Sequence, residues 1–167
     1  NPKADYPNRA TVLCNIASCY NMLGNYKLAA EKALLGIQSA RKTSSMTDLA
    51  NGLNILARSY YQRGKFTAAI SHLHEASKVR MHVQDPAMLA SDYLDLADVY
   101  LMIHQTQQAV HYAKKAEAIS FGNKIDLKLQ AAYETLANSY RKLGDYKNAA
   151  LYFKKLISLK ERISTGN

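Results

Sequence analysis

Aspartates recur every three residues at Asp92, Asp95 and Asp98, and no other stretch of this 167-residue chain gathers carboxylates so tightly. On a helix that spacing places the carboxylates along one face. There they could meet basic groups of a partner or, less effectively, a cation. Cages for hard cations usually draw more oxygens from a loop, so Asp95 and Asp98 read as recognition residues and no metal is expected. The histidines, His72, His74, His82, His104 and His111, include no pair spaced to seat zinc. Cys14 and Cys19 lie five apart on one expected helix and point to different faces, which disfavours a bond between them. Neither thiol has an activating constellation beside it. A glycine-rich phosphate loop and a nucleophile elbow are both absent. The sequence therefore leads to no catalytic residue, no cofactor and no enzyme.

What must position these groups is a ladder. Ala17-Ser18-Cys19-Tyr20, Ala57-Arg58-Ser59-Tyr60, Ala97-Asp98-Val99-Tyr100 and Ala137-Asn138-Ser139-Tyr140 follow one another at a spacing of 40 residues. A fixed period in this range marks stacked helical repeats. The alanine lets a neighbouring helix approach, and the tyrosine three residues on fills the space beside it. Gly24, Gly64 and Gly144 then end the first helix, because glycine takes a left-handed conformation cheaply. Tyr26, Phe66 and Tyr146 open and anchor the second helix, and Ala29, Ala69, Ala109 and Ala149 permit close packing inside the hairpin.

This pattern resembles the tetratricopeptide repeat, over four repeats at about 8–45, 46–85, 86–123 and 124–163. The period departs from the usual length of about 34 residues. In the third repeat His104 and Thr106 stand where the others have glycine and an aromatic. The fold expected is all-α, a right-handed superhelical solenoid of four helix-turn-helix repeats forming one domain. Its eight antiparallel helices are placed near 8–23, 26–42, 46–63, 66–83, 86–103, 106–120, 125–143 and 146–163. Asn8 and Asp85-Pro86 read as helix starts, Thr43-Ser44-Ser45 as a turn and Gly122-Asn123 as a helix end. Residues 1–7, with Pro2 and Pro7, read as an extended lead-in.

The resemblance implies a concave groove lined by the first helix of each repeat. Its matching positions include Asn15, Ser18, Asn54, Arg58, Tyr61, Asp95, Asp98, Leu101, Asn138 and Arg141. The amides and Arg58 suit an extended peptide backbone, while Tyr61 and Leu101 suit apolar side chains. Some members of the family hold the carboxylate of chaperone tails in a clamp of lysines, asparagines and an arginine. The matching Cys14, Ser18, Ile55, Ser91 and Asp95 do not form one.

The formal charge is +9, and residues 124–167 hold nine basic and four acidic side chains, a local +5. Lys147, Lys154, Lys155, Lys160 and Arg162 make the last helix positive, without the interleaved aromatics that specific nucleic-acid recognition would need. No apolar run approaches the roughly 18 residues of a membrane span. The last helix also carries Phe153, Leu156, Ile157 and Ile163 with no later helix to cover them. A homodimer through that helix, or a continuation of the parent protein, is the expectation. The terminal repeat is similar to those of sensory segments in bacterial signalling proteins. The reading is a protein- or peptide-binding scaffold, the regulatory module of a longer cytoplasmic protein. The alternatives are a self-association domain, a peptide-sensing switch and a periplasmic sensory segment.

Overall fold

A left-handed residue closes every first helix. Gly24 (φ 76°), Gly64 (φ 70°), His104 (φ 60°) and Gly144 (φ 76°) occupy the same rung of the ladder. The amide after each one donates back to the carbonyl of the repeated tyrosine, from Asn25 to Tyr20 at 2.9 Å, Lys65 to Tyr60 at 2.9 Å, Gln105 to Tyr100 at 2.8 Å and Asp145 to Tyr140 at 3.0 Å. That bond satisfies a carbonyl the helix end leaves open. His104 adopts the conformation without being glycine, because the bond pattern of the hairpin is fixed by its neighbours.

The computed structural model describes residues 8–166, so the lead-in expected over residues 1–7 lies outside it. Its helices are α1 (Arg9–Met22), α2 (Tyr26–Lys42), α3 (Met46–Gln62), α4 (Phe66–Val83), α5 (Pro86–Met102), α6 (Thr106–Gly122), α7 (Asp126–Lys142) and α8 (Tyr146–Thr165). No strand occurs among the described residues. Asn8 stands at the start of α1 but makes no side-chain cap bond, whereas Asp85 accepts from the Met88 amide at 3.1 Å with Pro86 in the first turn. Between hairpins a second left-handed rung appears at Ser44, Gln84 and Lys124, with φ of 53–54°. The close of α6 falls at Gly122-Asn123 as expected, Gly122 being the last helical residue and Asn123 the C-cap; the left-handed residue follows at Lys124, on the rung shared with Ser44 and Gln84.

Contacts divide the chain into two units, residues 1–84 and 85–167. In the first, α1 pairs with α2 and α3 with α4, and α3 packs on both α1 and α2. Ala17, Ala33, Leu53, Leu56 and Ala76 form its core. Gly52 allows the approach of α2 and α3, since a Cβ there would lie 2.8 Å from Ile37 Cγ1. Asn21 ties the first helices together, donating to the Ile55 carbonyl at 3.1 Å and accepting from Ser59 Oγ at 2.9 Å. The second unit repeats the arrangement with α5–α8, around Ala97, Leu129, Leu136, Tyr152 and Leu156. Each leucine buried in this way contributes about 1.5–3 kcal/mol.

The ladder alanines are buried throughout, Ala17, Ala57, Ala97 and Ala137 being 0% exposed. Tyr146 differs from its counterparts: it is 72% exposed and anchors nothing, while Phe66 meets Tyr61 edge-on at 5.9 Å.

Candidate functional site

The first helices of the hairpins carry all ten side chains expected to face a ligand. In the first unit these come from α1 and α3, which touch. Asn15 and Arg58 are exposed, and Ser18 and Tyr61 half-buried. Asn54 is not available as expected. It is 7% exposed, because its rung turns into the packing of α3, where its side chain is engaged. Cys14, on the same face of α1, is also buried, and its thiol donates toward the Asp48 carbonyl at 3.8 Å. Burial, helped by the Asp48 carboxylate, pushes that thiol up to about 11. Cys14 is therefore a packing residue and Cys19 an exposed free thiol.

In the second unit the expected residues come from α5 and α7, which also touch. Asp95, Leu101 and Asn138 are half-buried, and Asp98 and Arg141 exposed. Arg141 Nη2 donates to Asn138 Oδ1 at 3.3 Å, so the two offer one combined polar surface. The aspartate stripe of α5 is not uniform: Asp92 is fully buried and leaves Asp95 and Asp98 as the carboxylates within reach of a ligand. Water reaches Asp98, yet the protein around it strips much of its hydration. That desolvation, with the Asp95 carboxylate one turn away, raises Asp98 to about 6. A cation or a hydrogen-bond donor arriving here would stabilise the charged carboxylate, whereas another anion would worsen its position. Among the described residues no group of three or more His, Cys, Asp or Glu side chains could hold a metal.

The last helix exposes Phe153 (37%), Ile157 (57%) and Ile163 (41%). Leu156 departs from the expected open face. It is 8% exposed and belongs to the core of the second unit, since it lies on the side of α8 shared with Tyr152 and Leu159. No helix among the described residues is long and apolar enough to cross a membrane.

Family models described as tetratricopeptide repeat match residues 48–120 and 130–162. The chain belongs to the tetratricopeptide repeat family. Solved structures agree on the fold. BtubC from P. vanneervenii superposes with a TM-score of 0.85 at 21% identity, covering 93% of this chain and 64% of its own. Aspartyl phosphate phosphatase F from Bacillus subtilis gives 0.89 at 17% identity, covering 94% and 41%. A Rap protein complexed with Competence and Sporulation Factor gives 0.83 at 19% identity, covering 91% and 43%. The chain thus spans 64% of the first of these proteins and well under half of the other two. No curated protein matches the sequence. The fold class is all-α, that of the tetratricopeptide solenoids, and proteins of this fold serve as protein-interaction scaffolds.

Within its tetratricopeptide hairpins the chain carries a feature that the sequence reading missed. Tyr100 stacks on Tyr112 at 5.4 Å and Tyr140 on Tyr152 at 5.7 Å, each joining the first helix of a hairpin to the second. Tyr93 and Tyr133 complete the two clusters at 5.9 Å. Lys115 lies over Tyr93 and Tyr112, and Lys155 over Tyr133 and Tyr152, in cation–π contact. Glu117 accepts from Tyr152 Oη at 3.0 Å and from Lys155 Nζ at 3.1 Å, and Lys114 donates to the same hydroxyl. In the first unit His72 takes the corresponding place and stacks on Tyr60 at 5.5 Å. The signal was legible: Tyr93/Tyr133, Tyr112/Tyr152 and Lys115/Lys155 are each one period apart.

Proposed function

We propose that the chain is a non-catalytic binding scaffold that takes a protein or peptide segment against the first helices of its hairpins. The observation that carries this is the set of side chains on those helices that stay at least partly exposed once the hairpins pack. They are Asn15, Ser18, Arg58 and Tyr61 in one unit, and Asp95, Asp98, Leu101, Asn138 and Arg141 in the other. They combine donors, acceptors, both charges and apolar surface, the mixture that an extended peptide requires. The Rap protein structure, complexed with Competence and Sporulation Factor, supports ligand binding on this fold, and we read the module as a regulatory one.

Peptides selected from a random library on the immobilised chain test this reading. Arg58→Ala is expected to weaken those engaging the first unit, and Arg141→Ala those engaging the second, by about 1–3 kcal/mol for a lost charged hydrogen bond. Circular dichroism should be unchanged. Selected peptides that bind both variants as they bind the parent would overturn the placement of the site. Asn54→Ala is unsuited to the test, because it disturbs packing.

Self-association through α8 is the second reading, favoured by exposed Phe153, Ile157 and Ile163. Light scattering over a concentration series separates the two.

A further inference from the structure

A cleft of about 840 Å³ opens in the second unit where the end of α6, the start of α7 and the length of α8 meet. Buried Leu129 and Leu159 form its floor, and Phe121 (70% exposed) and Leu151 (48% exposed) stand at its edges. Around this apolar centre the lining carries four cations and one acid, Asp126. Two of the cations are engaged: Arg162 with Asp126 at 2.6 Å and Lys155 with Glu117 at 3.1 Å. The other two, Lys124 and Lys154, make no ion pair with any described residue. The cleft thus offers an aliphatic pocket between two unneutralised ammonium groups.

The geometry points to a second binding surface, distinct from the first-helix faces, that takes an acidic peptide segment carrying a bulky apolar residue. The apolar side chain would enter between Phe121 and Leu151, displacing water from Leu129 and Leu159. Carboxylates on either side of it would meet Lys124 and Lys154, which are point donors suited to single carboxylates. The volume lies within the range of about 300–1,000 Å³ typical of ligand pockets. The α8 of a second copy is a poor occupant of this cleft, because Lys154, Lys155 and Arg162 would face their own charge. Nucleic acid is a poor occupant as well, since Phe121 is the one exposed ring of the lining and leucines form the floor, where stacking of successive bases would call for several open aromatic faces.

The test is fluorescence anisotropy on the full chain with a labelled synthetic peptide of about 10 residues, glutamates flanking a central Leu-Phe pair. Lys124→Glu combined with Lys154→Glu is expected to raise Kd at least about tenfold, and Leu151→Ser to do the same with the charges intact. All three positions are exposed, so the fold should survive their substitution. Arg58→Ala should leave this peptide's affinity unchanged, which separates failure here from failure of the first-helix reading. Equal binding by a peptide with alanine in place of Leu-Phe would overturn the proposal, since charge alone would then suffice. Equal binding to the variants would also overturn it. Displacement of the peptide by phosphatidylglycerol vesicles, with vesicle binding lost in the charge-reversed variant, would assign the cleft to a lipid surface instead. A dimer dispersed by Leu151→Ser would assign it to a second copy.

Discussion

His104 holds a conformation that its side chain disfavours. Its φ of 60° repeats that of Gly24, Gly64 and Gly144, and a left-handed residue other than glycine costs about 1–2 kcal/mol. His104→Gly should therefore stabilise the second unit, by about 1 kcal/mol after the extra entropy of an unfolded glycine is subtracted. Urea denaturation would read this as a higher midpoint with an unchanged slope. At Asp98 the expected effect depends on pH. Its folded carboxyl titrates near 6 against 3.8 for the ordinary group, so the folded state binds the proton more tightly than the unfolded chain does. The stabilisation that comes from protonation is complete below about pH 4 and is lost as pH rises through 6. Asp98→Asn should be more stable than the parent at pH 7, with the difference vanishing on acidification to pH 4. An advantage that persisted unchanged at low pH would contradict the assignment. His72 titrates in the opposite sense, since burial holds its imidazole below the usual range and its Nδ1 has no hydrogen-bond partner among the described residues. The two groups must be separated by measuring Asp98→Asn against the parent at each pH.

At the scale of the helix, α8 presents two apolar kinds of residue that the sequence alone could not tell apart. Ile157→Glu should leave thermal stability within about 0.5 kcal/mol of the parent, as expected for a surface change. Leu156→Glu, which buries a charge, should unfold the second unit or lower its stability by several kcal/mol. The helix boundaries were legible because the 40-residue ladder sets them: α2, α4, α6 and α8 begin at Tyr26, Phe66, Thr106 and Tyr146. Gly122 and Asn123 marked the end of α6, but the left-handed residue there is Lys124, on the rung shared with Ser44 and Gln84, where no glycine announces it. Burial within a helix was the least legible. Asn54 and Cys14 are of types common on surfaces or in cores alike, and only the approach of α3 to α1 and α2 turned them inward. The tyrosine–lysine clusters were written in the period, yet their pairing across helices depends on which faces meet. A tyrosine at the rung of Tyr112 has no visible partner in the sequence until the hairpin closes on Tyr100.

At the scale of the molecule, a short repeated unit supplies both stability and surface. Each hairpin spends its alanines and leucines on contact with its neighbours, and the residues between them on the first helices are free to vary. That is why Arg58, Asp98 and Asn138 can occupy one rung with a positive, a negative and a neutral side chain in successive repeats. A scaffold acquires specificity in this way without changing its fold. The basic cleft of α8 adds a separate surface with its own charge preference, so two ligands of different chemistry could be held at once.

The most direct test of the scaffold account is a nuclear magnetic resonance titration of the isotope-labelled chain with a library-selected peptide. The account predicts amide shifts that cluster on α1 and α3 around Arg58, or on α5 and α7 around Asp98 and Arg141, with α2, α4 and α6 little affected. Shifts confined to the second helices, with the first helices silent, would contradict it.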